Sequence, residues 1–121
     1  MTVPENIEGQ GSTGPLNLQK LNATFMNNEV IIKKILVSFK ESFNEFESEF
    51  REAKNSGDTE VMSRMAHSLK GSAGNIRAES LSEQAAELQH KIDDGEQIVD
   101  EFDALLNSLD CLNKQIDGLV G

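Results

Sequence analysis

The sequence predicts an all-α fold: an antiparallel up-and-down four-helix bundle with a short additional N-terminal helix. Three observations predict it. Apolar residues recur at steps of three and four along most of the chain, and no stretch alternates as a strand would. No proline follows Pro15, so nothing interrupts long helices. Breaks of a few polar residues separate the periodic segments, and short connections between long helices make neighbours antiparallel.

Taken in order, residues 1–15 hold Gly9, Gly11, Gly14 and both prolines among polar residues. They offer too little apolar surface to offset the entropy of ordering, so a disordered arm is expected there, with the domain spanning 16–121. Leu16, Leu18, Leu21, Phe25 and Met26 predict a short helix or turn, broken and capped at Asn27-Asn28. Ile32, Ile35, Leu36, Phe39, Phe43, Phe46 and Phe50 fall on one face of a single long helix. Asn55-Ser56-Gly57 ends it, with Gly57 suited to the left-handed position beyond a helix end. Asp58 or Thr59 caps the next helix, whose apolar set is Met62, Met65, Leu69, Ala73 and Ile76. Leu81, Ala85, Leu88 and Ile92 mark a third long helix, stopped by Asp93-Asp94-Gly95. Phe102, Leu105, Leu106, Leu109, Leu112 and Ile116 mark a fourth, ending near Gly118.

Composition narrows the function. A chain of 121 residues is one domain, large enough to fold without a metal or disulfide staple. Its single cysteine, Cys111, cannot form an internal disulfide and suits a reducing, cytoplasmic setting. One position off the apolar face, it is expected to be buried or half-buried. A net charge of −10 opposes binding to nucleic acid or to anionic lipid. The aromatic residues are all Phe, so a base-stacking platform is not expected either. No apolar run reaches the 18 residues of a membrane span, and the N-terminus has neither the basic start nor the apolar stretch of a secretory signal. Two histidines and one cysteine are too few for a zinc site.

The informative segment is Ala66-His67-Ser68-Leu69-Lys70-Gly71-Ser72-Ala73-Gly74-Asn75-Ile76. At about 100° per residue, Met62, Met65, Leu69, Ala73 and Ile76 lie within about 60° of the side opposite His67. His67 therefore points away from the core. Arg64, Lys70, Gly71 and Gly74 share its side as one stripe. Each glycine in a helix interior costs roughly 1 kcal/mol against Ala, and open solvent returns nothing for it. An approaching partner does, because the missing side chains clear a way to the imidazole. Arg64 and Lys70 supply local positive charge in an acidic protein, which suits an anion arriving at His67. Imidazole is the side chain that is substantially neutral and nucleophilic at physiological pH. Phosphoryl transfer asks mainly for positioning and charge neutralisation. The sequence has no Gly-rich phosphate loop and no evident Mg²⁺ pattern, so the phosphoryl group is expected from another protein.

The run from His67 to Ile76, with Leu81 and Leu88-Gln89 beyond it, resembles the histidine-containing phosphotransfer (HPt) domain of bacterial multistep phosphorelays. The resemblance implies a helical bundle in which His67 accepts a phosphoryl group from a receiver-domain aspartate and passes it to another receiver. It implies that Lys70 supports the phosphoryl group, that Gly71 clears space for the receiver, and that Gln89 hydrogen-bonds the histidine ring. Arg64, Ser68 and Gly74 are the further candidates for partner contact. The partners implied are the receiver domains of a hybrid sensor kinase and of a response regulator. Such a chain is a stoichiometric phosphocarrier with no turnover of its own and no intrinsic cofactor, Mg²⁺ coming with the receiver. One departure is Arg77, where many members carry glycine. A left-handed turn there is strained with Arg, so either the turn is looser or glycine is dispensable. Arg77 is also a candidate addition to the basic patch.

A lone histidine in a helix is usually plain surface, but Lys70-Gly71, Gly74 and the opposite-face geometry outweigh that for His67. His90 has no such company and reads as solvated. Arg64 has a plain alternative as a helical ion pair with Glu60. The Phe39, Phe43, Phe46 and Phe50 series reads as core and not as a ligand pocket. The alternative function is a docking module that binds receivers or other proteins without accepting phosphate. A metal-dependent or hydrolytic enzyme lacks a second ligand or acid pair at useful spacing. The exposed stripe suits a monomer. Met1 and the arm suit a free-standing protein, an excised domain of a hybrid kinase being the alternative.

Overall fold

The computed structural model describes residues 15–120. Among these residues it has six helices: α1 Leu18–Thr24, α2 Glu29–Ser42, α3 Phe46–Ser56, α4 Thr59–Asn75, α5 Glu79–Asp93 and α6 Val99–Val120. The disordered arm expected over residues 1–15 lies, but for Pro15, outside the described part. The starts follow their caps. The side chains of Asn17, Asn28 and Asp58 accept backbone N–H bonds from Lys20, Ile31 and Val61 at 3.1, 3.2 and 3.1 Å. Gly57 closes α3 at φ 72°, the left-handed conformation foreseen for it.

Three expectations need correction. The apolar face from Ile32 to Phe50 belongs to two helices, not one. At Phe43-Asn44-Glu45 the ladder tightens, and the Phe46 N–H bonds back three residues to the Phe43 carbonyl at 3.2 Å. The break keeps the apolar face in phase, so the rings of Phe39, Phe43, Phe46 and Phe50 still follow one another at 5.0, 6.1 and 5.6 Å. Phe50 stacks on Phe102 of α6 at 4.5 Å. Phe39, Phe46 and Phe50 are buried core, as their spacing foretold, and Phe43 is half-buried against it. Secondly, α6 does not stop near Gly118 but runs through it to Val120. Thirdly, Cys111 is exposed. The buried stripe of α6 is Leu105, Leu109, Leu112 and Ile116, and one helical step of about 100° from Leu112 carries Cys111 clear of it.

The helices pair in a chain of neighbours: α3 with α4, α4 with α5, α5 with α6, and α6 with α2, the α4–α5 pairing being the most extensive. Leu36, Phe50, Leu69, Leu81, Leu88, Phe102, Leu105 and Leu112 fill the space between them and are fully buried. Each such side chain contributes about 1.5–3 kcal/mol on leaving water. No polar or charged residue is buried among the described residues. Hydrogen bonds at the margins fix the ends. The Leu16 N–H donates to Gln115 Oε1 at 2.9 Å, and Lys40 pairs with Asp117. Lys91 of α5 bonds Glu101 of α6 at 2.7 Å. That bond raises the Lys91 ammonium above its ordinary range and holds the Glu101 carboxyl below its own.

Between α4 and α5 the turn is not loosened by Arg77, which adopts φ 65°. The Ala78 N–H bonds the Ala73 carbonyl at 2.8 Å and the Arg77 N–H bonds the Gly74 carbonyl at 3.1 Å, the paired closure usual around a left-handed residue. The strain, about 1–2 kcal/mol for a residue with a Cβ, is met by local bonds. The Arg77 carbonyl accepts the Asn17 N–H at 2.9 Å, and Arg77 Nε donates to Thr24 Oγ1 at 3.2 Å. Arg77 thus anchors α1 to the end of α4.

Candidate functional site

Seventeen residues form α4, and burial divides them as the helical angle demands. Met62, Leu69 and Ala73 are buried, as is Ile76 at the C-cap, and Met65 is half-buried. Ala66, absent from the predicted apolar set, is buried as well. His67 is exposed on the other side. The sequence thus assigned the two faces in the right sense.

Around the imidazole, Arg64, Ser68, Lys70 and Gly71 are exposed and Gly74 is half-buried. The two glycines differ. A Cβ added at Gly71 meets nothing within 4 Å, so Gly71 is an open gap one turn from His67. A Cβ at Gly74 would lie 3.5 Å from Ser82 Oγ of α5. Gly74 therefore stands at the edge of the neighbouring helix, within ordinary van der Waals distance of it, while staying half-exposed. Arg64 makes no ion pair with Glu60 among the described residues; both line the same groove. Arg77 joins no basic patch here, since its guanidinium is engaged with α1 at the far end of the helix.

Across the α4–α5 seam, Gln89 Oε1 lies 3.4 Å from His67 Nδ1, at the long end of hydrogen-bonding distance. An amide oxygen only accepts, so this contact calls for the proton on Nδ1. The other ring nitrogen, Nε2, then keeps its lone pair for an incoming group. A groove of about 620 Å³ runs beside the ring between α4 and α5, lined by Thr59, Glu60, Ser63, Arg64, His67, Gln89, Ile92 and Asp93. Its charge is mixed. Arg64 is the cation foreseen, but Glu60 and Asp93 add two carboxylates, and Asp93 Oδ1 accepts from Ser63 Oγ at 2.7 Å. Sequence analysis gave Ser63 and Ser82 no role and Asp93 only that of a helix stop, because Ser and Asp on helix surfaces carry no further signal without knowledge of the facing helix. His90 is exposed and sits 3.2 Å from Asp94, away from this arrangement.

Among the described residues no group of three or more His, Cys, Asp or Glu side chains stands close enough to hold a metal ion, and no helix is long and apolar enough to cross a membrane. The model of the Hpt domain family matches residues 34–115, from α2 to near the end of α6 and well over half of the chain. Comparison with curated proteins and with solved structures gives no match. An exposed histidine on a helical bundle, within a family match spanning five of the six helices, leads to one conclusion: the chain belongs to the Hpt domain family, the histidine phosphotransfer modules of phosphorelays.

Proposed function

We propose that this chain is a phosphorelay intermediate in which His67 takes a phosphoryl group from the aspartate of one receiver domain and hands it to that of another. The observation that carries the reading is the 3.4 Å contact between Gln89 Oε1 and His67 Nδ1 on an otherwise exposed ring. With the proton held on Nδ1, the Nε2 lone pair attacks phosphorus and the bond from phosphorus to the aspartyl oxygen breaks. The aspartate leaves as its carboxylate, and no proton need move. Positive charge develops on the imidazole, and Gln89 Oε1 meets it at the Nδ1–H. Lys70, one turn along α4, neutralises phosphoryl oxygens. The open space at Gly71 admits the receiver, and Arg64 and Ser68 flank its approach. The receiver domains of a hybrid sensor kinase and of a response regulator are the partners, and the receiver brings the Mg²⁺. The chain acts as a stoichiometric carrier in the cytoplasm, as a monomer. Its architecture is an antiparallel up-and-down bundle of four helices, with α2 and α3 together as the first and α1 as the extra N-terminal helix. The neighbour pairings and short connections support it.

The test is incubation with a labelled, phosphorylated receiver. Acid-labile label is expected on this chain and not on His67→Gln. Label persisting in that variant refutes the site. Receiver binding with no label on the parent chain refutes the carrier role.

A further inference from the structure

The seam between α4 and α5 carries three polar contacts in one register. Ser63 Oγ donates to Asp93 Oδ1 at 2.7 Å, His67 Nδ1 meets Gln89 Oε1 at 3.4 Å, and Ser82 Oγ reaches the Lys70 carbonyl at 2.8 Å beside Gly74. From Ser63 to His67 to Gly74 the steps along α4 are four and seven residues. From Asp93 to Gln89 to Ser82 the steps back along α5 are the same. The histidine contact is the longest of the three, with a short bond on each side of it.

That order has a mechanical meaning. A helix advances 1.5 Å per residue, so a slide of one residue's rise carries a 3.4 Å contact out of hydrogen-bonding range. Nothing in the His67–Gln89 pair resists such a slide, because both side chains are at the surface and Gln89 has several rotatable bonds. The flanking bonds do resist it. On one side a hydroxyl is held by a carboxylate, which makes the bond charge-assisted. On the other, Ser82 adds a second bond to a carbonyl already serving the Gly74 N–H of its own helix. Ser82 packs directly beside Gly74 there: a Cβ added at residue 74 would lie 3.5 Å from its hydroxyl, an ordinary van der Waals contact.

We propose that Ser63 and Ser82 are positioning residues, whose bonds to Asp93 and to the Lys70 carbonyl lock the α4–α5 register that sets Gln89 against His67. Neither touches the reacting nitrogen. They act through Gln89 by holding the imidazole in the tautomer with its proton on Nδ1. The functional consequence rests on the phosphocarrier reading, while the geometric claim stands apart from it. A misplacement of about 1 Å in a reacting constellation can cost about a hundredfold in rate.

The experiment compares the parent chain with Ser63→Ala/Ser82→Ala, with Ser63→Thr/Ser82→Thr, and with Ile116→Val, which loosens the core of α6 without touching the seam. Two readouts are taken: the ¹⁵N NMR shifts of the His67 ring in its neutral form, which report the tautomer, and the rate of phosphotransfer from a phosphorylated receiver. The double alanine variant is expected to move His67 toward the Nε2–H tautomer, which an imidazole free in water favours, and to lose tenfold or more in rate. The double threonine variant restores both, and Ile116→Val moves neither. An unchanged tautomer in the double alanine variant overturns the proposal, as does an equal change in Ile116→Val. A tautomer shift in a chain that never accepts label supports the lock and overturns the phosphocarrier reading instead.

Discussion

Replacing Gly71 with glutamine should make the protein more stable and a worse phosphocarrier. Gly71 lies inside α4, four residues short of its end, and its backbone is ordinary helix. Glycine there costs roughly 1 kcal/mol against alanine, and glutamine gives back most of that. The gain is not cancelled by crowding, because a Cβ at this position meets nothing within 4 Å. For a domain of this size, about 0.5–1 kcal/mol corresponds to a rise in melting temperature of roughly 2–5 °C. The side chain that supplies the gain also stands in the gap one turn from the imidazole. A docking receiver must displace it, and a barrier increase of about 1.4 kcal/mol slows transfer tenfold. Gly71→Ala separates the two effects, since it recovers the full helical gain with one methyl in the gap and should transfer faster than the glutamine variant. Thermal melts and single-turnover transfer from a phosphorylated receiver, measured on the same preparations, check both arms. A glutamine variant that melts lower contradicts the open gap. One that melts higher and transfers at the parental rate contradicts the docking role of Gly71.

Other substitutions probe the rest of the account. Leu69→Ala should destabilise by about 2–5 kcal/mol, since Leu69 is fully buried opposite His67, while the folded fraction retains transfer; denaturant unfolding measures this. Lys70→Ala should leave the melt unchanged and slow transfer or shorten the phosphohistidine lifetime, followed by decay of label on the isolated protein. Arg77→Val should cost about 1–3 kcal/mol, because a β-branched residue is poorly accommodated at φ 65°; an unchanged denaturation midpoint would count against the left-handed turn. The Lys91–Glu101 bond should give a pH-dependent difference between the parent and Glu101→Gln. The folded protein holds the Glu101 carboxyl below its ordinary value, so its contribution is present above about pH 4.3 and fades as the pH falls through the lowered value. Lys91 is shifted upward, so its share persists to high pH and is lost only as the pH rises through the raised value. Melting curves of the two proteins should therefore differ at neutral pH and converge in acid.

The face of each long helix was legible because a helix writes burial into its own sequence with a period of 3.6 residues. Leu69 in and His67 out follows from that period alone, while the caps at Asn28 and at Asp58 or Thr59 and the glycine stop at Gly57 were legible from the side-chain chemistry of helix ends. The break at Phe43-Asn44-Glu45 was hidden for the same reason. Phe43 and Phe46 stay in phase across it, so the pattern of an interrupted helix matches that of a continuous one. What one helix does to another was not legible. Nothing along α4 says that Gly74 meets Ser82, or that Ser63 meets Asp93, because those pairings depend on the register of two helices. Gln89 was found only through resemblance to a family. Arg77 was legible as a departure from that family but not in its outcome, since the bonds that hold it come from Asn17 and Thr24, far away in the chain.

The central claim concerns one atom, Nε2 of His67, and NMR can address it directly. After incubation of the ¹⁵N-labelled protein with a phosphorylated receiver and Mg²⁺, the ³¹P and ¹⁵N spectra should show a single phosphoramidate. It should lie on Nε2 of His67, with the proton retained on Nδ1. A phosphorus bonded to Nδ1, to His90 or to no nitrogen of this chain would contradict the account.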